Sequence, residues 1–179
     1  DTAALVNRFE ELLKSGEGHF FDVEEFETII DYYLDIQQTS LTHSAVEMAQ
    51  EQHPGSNSFK IREARLYTQE SKYDEALAIL NDLDALEKGN EEFYLAKGEI
   101  YSLMDKHEQA IDAYKKVLDT TERPEEVLSN IAYEYESLND YPNALRHLAK
   151  ALELHPESED LIQEIAFFFE LTNREEEAI

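Results

Sequence analysis

The sequence predicts an all-α protein in which pairs of helices stack as a solenoid, and three observations lead to this fold class. The 179 residues include only five Gly and four Pro. Helix-forming residues are abundant, and no stretch sustains the alternation of Val, Ile and Thr that is typical of strands. The last seven residues, NREEEAI at 173–179, have counterparts at 71–77, 105–111 and 139–145, so one pattern recurs every 34 residues.

Aligned at this period, the chain divides into five repeats, and each position within the repeat, counted here as a column, keeps one kind of residue. The repeats are 23–56, 57–90, 91–124, 125–158 and a shortened 159–179. Column eight holds Ile30, Ala64, Gly98, Ala132 and Ala166; column eleven holds Tyr33, Tyr67, Tyr101, Tyr135 and Phe169; column twenty holds Thr42, Ala76, Ala110, Ala144 and Ala178. Small residues let two helices approach to about 8 to 10 Å, and an aromatic ring fills the space beside the crossing. Each repeat is therefore predicted to be two antiparallel helices.

Residues 1–22 precede the repeats and are predicted to form a helix and a loop, a candidate cap of the solenoid. Apolar residues at helical spacing predict a helix over 2–15 that ends at Gly16 and Gly18. Asp22 is a predicted N-cap, because acidic residues fill the turn that follows it. Phe20 and Phe21 are expected to pack under the first repeat.

The pattern resembles the tetratricopeptide repeat, a 34-residue helix-turn-helix unit. The third repeat matches it at Tyr94, Gly98, Tyr101, Ala110, Tyr114 and Val117, and the fourth at Ala132, Tyr135, Ala144, Leu148, Ala151 and Pro156. The resemblance covers 57–179, while 23–56 departs from it at Ile30 and Thr42. It implies a right-handed α-α superhelix whose concave wall is lined by the first helices of the repeats.

Composition and charge exclude several classes of function. With 41 acidic and 15 basic side chains, the net charge of −26 would repel a nucleic acid backbone. The 42% hydrophobic content argues against a disordered acidic chain. Cysteine is absent, and no apolar run approaches the length of a membrane span. We expect no nucleic acid partner, no membrane partner and, by default, a cytoplasmic location, although a chain that starts at Asp1 is expected to lack its natural beginning.

The histidines and paired carboxylates favour structural roles over catalysis. His53 and His155 share a column before a proline, and His43, His107 and His147 lack the spacing of a metal site. Acid pairs such as Glu125 and Glu126 recur where first helices begin, where they complement the helix dipole. The sequence therefore predicts no enzyme, no cofactor and no metal.

Five columns of the first helices, columns two, five, nine, twelve and thirteen, are those that line the concave groove in the family that the sequence resembles. Here they hold Glu24, Glu27, Asp31, Asp35, Glu92, Glu99, Glu126, Glu136, Asp160 and Glu170, together with Arg65, Tyr133 and Phe167. The Lys and Asn clamp that grips acidic tails in one subset of the family is missing. The predicted partner is a protein or peptide segment that is basic or neutral and supplies apolar anchors for Tyr133 and Phe167.

Two other functions stay open at this point. The repeats could form a rigid spacer or assembly scaffold that associates through the repeat ends or the convex face. They could also be the accessory part of an enzyme whose catalytic domain lies elsewhere.

The end of the sequence falls inside a repeat. Glu159 to Leu171 is predicted to be a first helix and Asn173 to Ile179 the start of a second one. Ile165, Phe168 and Phe169 would then lack the helix they pack against, so we expect a longer repeat protein, or self-association through the truncated repeat.

Overall fold

The computed structural model describes residues 2–16 and 20–177, with side chains through residue 172. The described residues form helices and connecting turns, without strands. The helices are α1 (Thr2–Ser15), α2 (Val23–Asp35), α3 (Thr39–Gln52), α4 (Asn57–Gln69), α5 (Tyr73–Leu83), α6 (Glu91–Leu103), α7 (His107–Lys115), α8 (Pro124–Ser137), α9 (Tyr141–Leu154) and α10 (Glu159–Glu177). The chain divides into an N-terminal module, Asp1–Leu86, and a C-terminal module, Glu87–Ile179, which are described one at a time.

In the N-terminal module, α1 packs on α2 through aromatic side chains. Phe9 of α1 is fully buried, and its ring lies 6.2 Å from that of Phe21 and 5.9 Å from that of Tyr33. Burial raises the pKa of Tyr33 to about 12, with a further contribution from the charge of Glu10. The predicted helix over 2–15 is confirmed, whereas Gly18 lies outside the described residues.

In the loop before α2, the predicted N-cap is confirmed, but only one of the two phenylalanines is buried as predicted. Asp22 accepts a hydrogen bond from the Glu25 backbone, and Glu25 accepts one from the Asp22 backbone, which closes a capping box. Phe21 is buried as expected. Phe20 is not: it is 70% exposed, and its ring lies edge-on to that of His53 with the ring centres 5.2 Å apart. One apolar side chain fills the space at the start of α2, so the prediction for Phe20 was wrong.

The turn inside each of the first four repeats contains one residue in the left-handed region of the backbone map. These residues are Gln37, Ser71, Asp105 and Asn139, with φ between 55° and 60°. Each donates its N–H three residues back, and the next residue donates five residues back to the column-eleven carbonyl, as in Asp140 N to Tyr135 O at 2.8 Å. This is the Schellman ending of a helix. This helix ending was not predicted from the sequence, because none of the four residues is glycine.

In the second, third and fourth repeats, the small residues of columns eight and twenty lie at the predicted helix contacts; in the fifth, Ala166 is exposed and Ala178 lies outside the described residues. Ala64 and Ala76 in the N-terminal module, and Ala110, Ala132 and Ala144 in the C-terminal module, have no exposed surface. In the divergent first repeat, Thr42 is also fully buried, and its hydroxyl donates to the Gln38 carbonyl at 3.0 Å. A side chain larger than alanine is accommodated there because its polar atom is satisfied.

At the end of the C-terminal module the structure corrects two expectations. Helix α10 continues through Asn173 to Glu177, so no second helix begins there. Residues 174–177 are Arg-Glu-Glu-Glu, and they offer no apolar side chain that would favour a turn over continuing the helix. Phe168 is buried, with its ring 6.0 Å from that of Tyr141, because it faces α9. Ile165 is half-buried in the same cluster, and Phe169 alone of the three is largely exposed.

Candidate partner-binding face

In the N-terminal module, two of the predicted groove acids are paired with arginines. Asp31 accepts from Arg62 Nη2 at 2.7 Å and from Arg65 Nη1 at 3.1 Å. Glu27 lies 3.6 Å from Arg62. The negative charges of these two carboxylates are thus offset by the positive charges of the two guanidinium groups. Glu24 and Asp35 are exposed at either end of α2. The N-terminal part of the predicted acidic groove is close to neutral at its centre.

Arg62 is the functional residue in this module that sequence reasoning missed. It lies in column six, outside the five columns that line the groove in this family, yet it is only 7% exposed and contacts Asp31 of α2. The available signal was its position three residues before Arg65, since residues at i and i+3 share one face of a helix. Asp31 sits between both arginines and fixes them.

In the C-terminal module, two aromatic side chains of the predicted groove stand in solvent. Tyr133 on α8 is 57% exposed and Phe167 on α10 is 53% exposed. They occupy the same column in consecutive repeats. The Phe167 ring meets the buried Phe168 edge-on at 5.7 Å, which limits how it can turn. Exposed rings held on helices are suited to anchor an apolar side chain of a partner.

A pair of carboxylates lies beside these two rings. Glu136 follows Tyr133 by three residues on α8, and Glu164 precedes Phe167 by three residues on α10, so each acid shares a helix face with its ring. Burial raises the pKa of Glu164 above its usual value, and the negative charge of Glu136 raises it further. The two acids are therefore close enough to repel each other. Glu164 lies in column six and, like Arg62, was missed.

The other predicted acids of this module have separate surroundings. Glu126 is exposed and pairs with Arg123 at 2.9 Å, a contact at the start of α8. Glu99 lies on α6 near Tyr114, whose pKa is raised by burial and by the charges of Glu134 and Glu99. Glu92 is half-buried at the start of α6, and Asp160 and Glu170 are exposed on α10. The structure does not bring all of these acids into one cluster.

An open cavity of about 840 Å³ adjoins the start of α8. It is lined by Glu126 and Ser129 of α8, by Leu154 at the end of α9, by Pro156 in the connection that follows, and by Leu161 of α10. Ser129 lies one helical turn before Tyr133, so the cavity and the exposed ring share one side of α8. We call this side the α8/α10 face; its residues are Glu126, Ser129, Tyr133 and Glu136 on α8, and Asp160, Glu164, Phe167 and Glu170 on α10.

The histidines and carboxylates of the described residues were also compared with the requirements of a metal site. Across those residues, no group of three or more His, Asp or Glu could hold a metal ion. His107 Nδ1 lies 2.7 Å from Glu134 Oε2, and that carboxylate is only 1% exposed, so the pair ties α7 to α8 away from solvent. Among the described helices, none is both long and apolar enough to cross a bilayer.

The sequence was compared with models of known protein families. The model of the tetratricopeptide repeat-like domain matches residues 35–156. The chain belongs to this family. Membership confirms the family resemblance and the all-α solenoid class, and it supports a role in protein–protein interaction or as a scaffold. The family is generally non-catalytic. A search of curated proteins finds none that matches the sequence.

Solved structures of tetratricopeptide proteins share the fold. The tetratricopeptide protein TTC0263 from Thermus thermophilus has a TM-score of 0.73 at 20% identity, over 94% of this chain and 90% of that one. PilF from Pseudomonas aeruginosa has a TM-score of 0.75 at 16% identity, over 84% of this chain and 69% of that one. MamA from Desulfovibrio magneticus has a TM-score of 0.68 at 15% identity, with 88% of each chain covered. Identities this low show the fold alone.

Proposed function

We propose that this tetratricopeptide protein is a non-catalytic, cytoplasmic interaction module that binds a basic protein segment with apolar anchors on the α8/α10 face. The observation that carries the proposal is the exposure of Tyr133 and Phe167 beside Glu136 and Glu164. Two rings offer apolar contact, and two carboxylates that repel each other are stabilised when a cation comes between them.

The contrast between the modules supports this location. At the centre of the N-terminal groove, Asp31 and Glu27 already have Arg62 and Arg65 as partners, so a basic ligand gains little there. Among the described side chains, neither Glu136 nor Glu164 forms an ion pair with a lysine or arginine. A lysine or arginine of a partner would supply the charge that this chain does not.

Salt dependence tests the electrostatic half of the proposal. The probe is a short fluorescein-labelled peptide with lysines around a central leucine and phenylalanine, titrated with protein and followed by fluorescence anisotropy. Binding is expected to weaken as salt rises, because exposed charges are screened within about 8 Å at physiological ionic strength. Replacing both acids, Glu136→Gln with Glu164→Gln, should flatten this dependence, whereas Asp35→Gln with Glu24→Gln in the N-terminal module should not.

Two results would contradict the proposal. One is an affinity that does not change with salt. The other is equal weakening by the two double variants, which would indicate attraction by net charge rather than by the α8/α10 face.

A second candidate function, a scaffold that assembles through its repeat end, is supported by a different side of α10. Ile162 and Phe169 are 47% and 57% exposed, and Ala166 is exposed between them. In the fourth repeat the same columns hold Leu128, Ala132 and Tyr135, which are buried or half-buried in an apolar cluster. Light scattering over a dilution series tests this candidate, because association through this stripe would give larger particles at high concentration that Phe169→Glu abolishes.

A further inference from the structure

A cluster of basic side chains lies in the C-terminal module on the second helices α7 and α9. Lys115 of α7 places its Nζ 3.1 Å from the Tyr135 hydroxyl and 5.5 Å from the centre of that ring. The Tyr135 ring stacks on the His147 imidazole at 5.2 Å. Arg146 and Lys150 lie on either side of His147 in the sequence of α9. Because these two basic residues are four positions apart, they share one helix face. We call Lys115, Arg146 and Lys150 the basic patch.

These three cations gather at one place on a chain whose net charge is strongly negative. All three are exposed, and none has an acidic oxygen within 4 Å among the described side chains. By contrast, Arg8, Arg62, Arg65, Lys72 and Arg123 each pair with an acid. Residues 141–152 of α9 contain no Asp or Glu, although the chain has 41 of them. This segment of α9 adds no negative charge to the patch, and the acids nearest in sequence are Asp112 and Asp119 around Lys115 and Glu153 after Lys150.

All three cations lie close enough to the buried His147 to influence its pKa. Its Nδ1–H donates to the Asn143 carbonyl at 2.8 Å. Burial is the main cause that lowers the pKa of His147; the hydrogen bond opposes it, and the charges of Arg146, Lys115 and Lys150 add to the lowering. The patch is thus compact, and a buried imidazole beneath it responds to its charge.

The basic patch and the α8/α10 face lie on different sides of α8. Tyr133 and Tyr135 are two residues apart, about 200° around the helix at 3.6 residues per turn. Tyr133 is exposed on the α8/α10 face, whereas Tyr135 is half-buried and contacts Lys115 and His147. One ligand on α8 would therefore leave the other side free.

We propose that the basic patch binds an acidic segment of a second protein, independently of the α8/α10 face. Carboxylates of that segment would pair with Arg146, Lys150 and Lys115, the last of which is held in place by Tyr135. The net charge of −26 does not prevent this, because at physiological salt only charges within about 8 Å act strongly on one another. The chain would then join a basic protein to an acidic one.

The probe is a short peptide of glutamates around a central tyrosine, mixed with the full chain at physiological salt. The imidazole proton resonances of His147 are recorded by NMR across pH, with and without peptide. Bound carboxylates should raise the pKa of His147, since they offset the cations that lower it. Replacing Arg146→Ala with Lys150→Ala should weaken binding roughly three- to tenfold, as expected for exposed ion pairs.

The matched control is Lys88→Ala with Lys106→Ala, which removes the same amount of charge from exposed sites of the same module. It should leave peptide affinity and the His147 titration unchanged. Equal weakening by both double variants would overturn the proposal, as would peptide binding that leaves His147 unaffected. Binding of anionic phospholipid vesicles without binding of the peptide would also overturn it.

A second copy of this acidic chain is the remaining possible occupant. Sedimentation velocity without peptide distinguishes it, because self-association that is lost in the Arg146→Ala, Lys150→Ala variant would assign the patch to a copy of the chain and overturn the proposal. Failure of the acidic peptide would leave the binding of basic peptide to the α8/α10 face intact, so the two proposals fail separately.

Discussion

Gly98 of α6 and the ring of Tyr114 of α7 are in direct contact across the helix crossing of the third repeat. A Cβ atom added to residue 98 would lie 2.7 Å from Cδ1 and 2.7 Å from Cζ of that ring, closer than carbon atoms pack. The large aromatic residue is accommodated because its neighbour has no side chain. Tyr114 is buried there. Burial is the main cause that raises the pKa of its hydroxyl, and the negative charges of Glu134 and Glu99 raise it further.

Gly98→Ala should therefore destabilise the protein, although alanine favours helix more than glycine does. Overpacking costs about 1 to 3 kcal/mol, and the better helix propensity returns up to about 1 kcal/mol. Urea denaturation followed by circular dichroism measures the difference. Gly55→Ala is the matched control, because a Cβ at residue 55 meets no atom within 4 Å. If both variants proved equally stable, the contact with Tyr114 would not be tight.

The column-twenty alanines should not tolerate a larger side chain. Ala144 has no exposed surface at the crossing of α8 and α9, so Ala144→Leu is expected to cost about 1 to 3 kcal/mol in the free energy of unfolding. Ala110→Leu should behave alike. Lys106→Ala, at an exposed turn position, should change stability by about 0.5 kcal/mol or less. A stability of Ala144→Leu equal to that of the parent would show that the helices are not closely packed there.

His107→Ala removes the imidazole and should leave the Glu134 carboxylate buried without this partner. The cost of breaking such a pair from one side is about 3 to 5 kcal/mol. His43→Ala is the control, because His43 also lies 2.9 Å from a glutamate but is itself exposed, and such pairs contribute about 0.2 to 1 kcal/mol. Both variants are compared by urea denaturation. A double variant with Glu134→Gln should recover part of the loss, and no recovery would show that the two side chains do not interact.

Stability should depend on pH through Glu164. Its pKa is raised in the folded protein by burial and by Glu136, so the folded state holds this proton more tightly than the unfolded chain. The stabilisation that comes from the protonated Glu164 is fully present below pH 4.5, the ordinary pKa of a glutamate, and it is lost as pH rises through the higher pKa of the folded state. Glu164→Gln should thus be more stable than the parent at neutral pH and no more stable at low pH. Thermal unfolding across pH measures this, with exposed Glu170→Gln as control. A difference that did not change with pH would contradict it.

The repeat was predictable from the sequence because close packing restricts residue size at fixed columns. Ala76, Ala110 and Ala144 are buried where the period predicted, and the helix starts at Val23, Asn57 and Glu91 follow the same spacing. The left-handed turn residues were not predictable from residue type, since Gln37 and Ser71 have no strong preference for that conformation. Their backbone hydrogen bonds and the packing of the following helix select it.

The candidate face was only partly predictable, because a column predicts which side of a helix a residue occupies but not its partner. Tyr133 and Phe167 were found on exposed positions. The neutralisation of Asp31 by Arg62 and the repulsion between Glu136 and Glu164 depend on column-six residues that reach across to a neighbouring first helix. Such contacts depend on how neighbouring helices pack in three dimensions, which the column of a residue does not specify.

The most direct test of the central claim compares two exposed phenylalanines on α10. Phe167 belongs to the α8/α10 face, while Phe169 is equally exposed on another side of the helix. With the labelled basic peptide, Phe167→Ala combined with Tyr133→Ala should weaken binding by roughly 30-fold or more, as for anchor residues worth about 1 kcal/mol or more each. Phe169→Ala should bind like the parent. Unchanged affinity in the Tyr133→Ala, Phe167→Ala variant, with Phe169→Ala as the weaker binder, would place the peptide elsewhere and contradict the account.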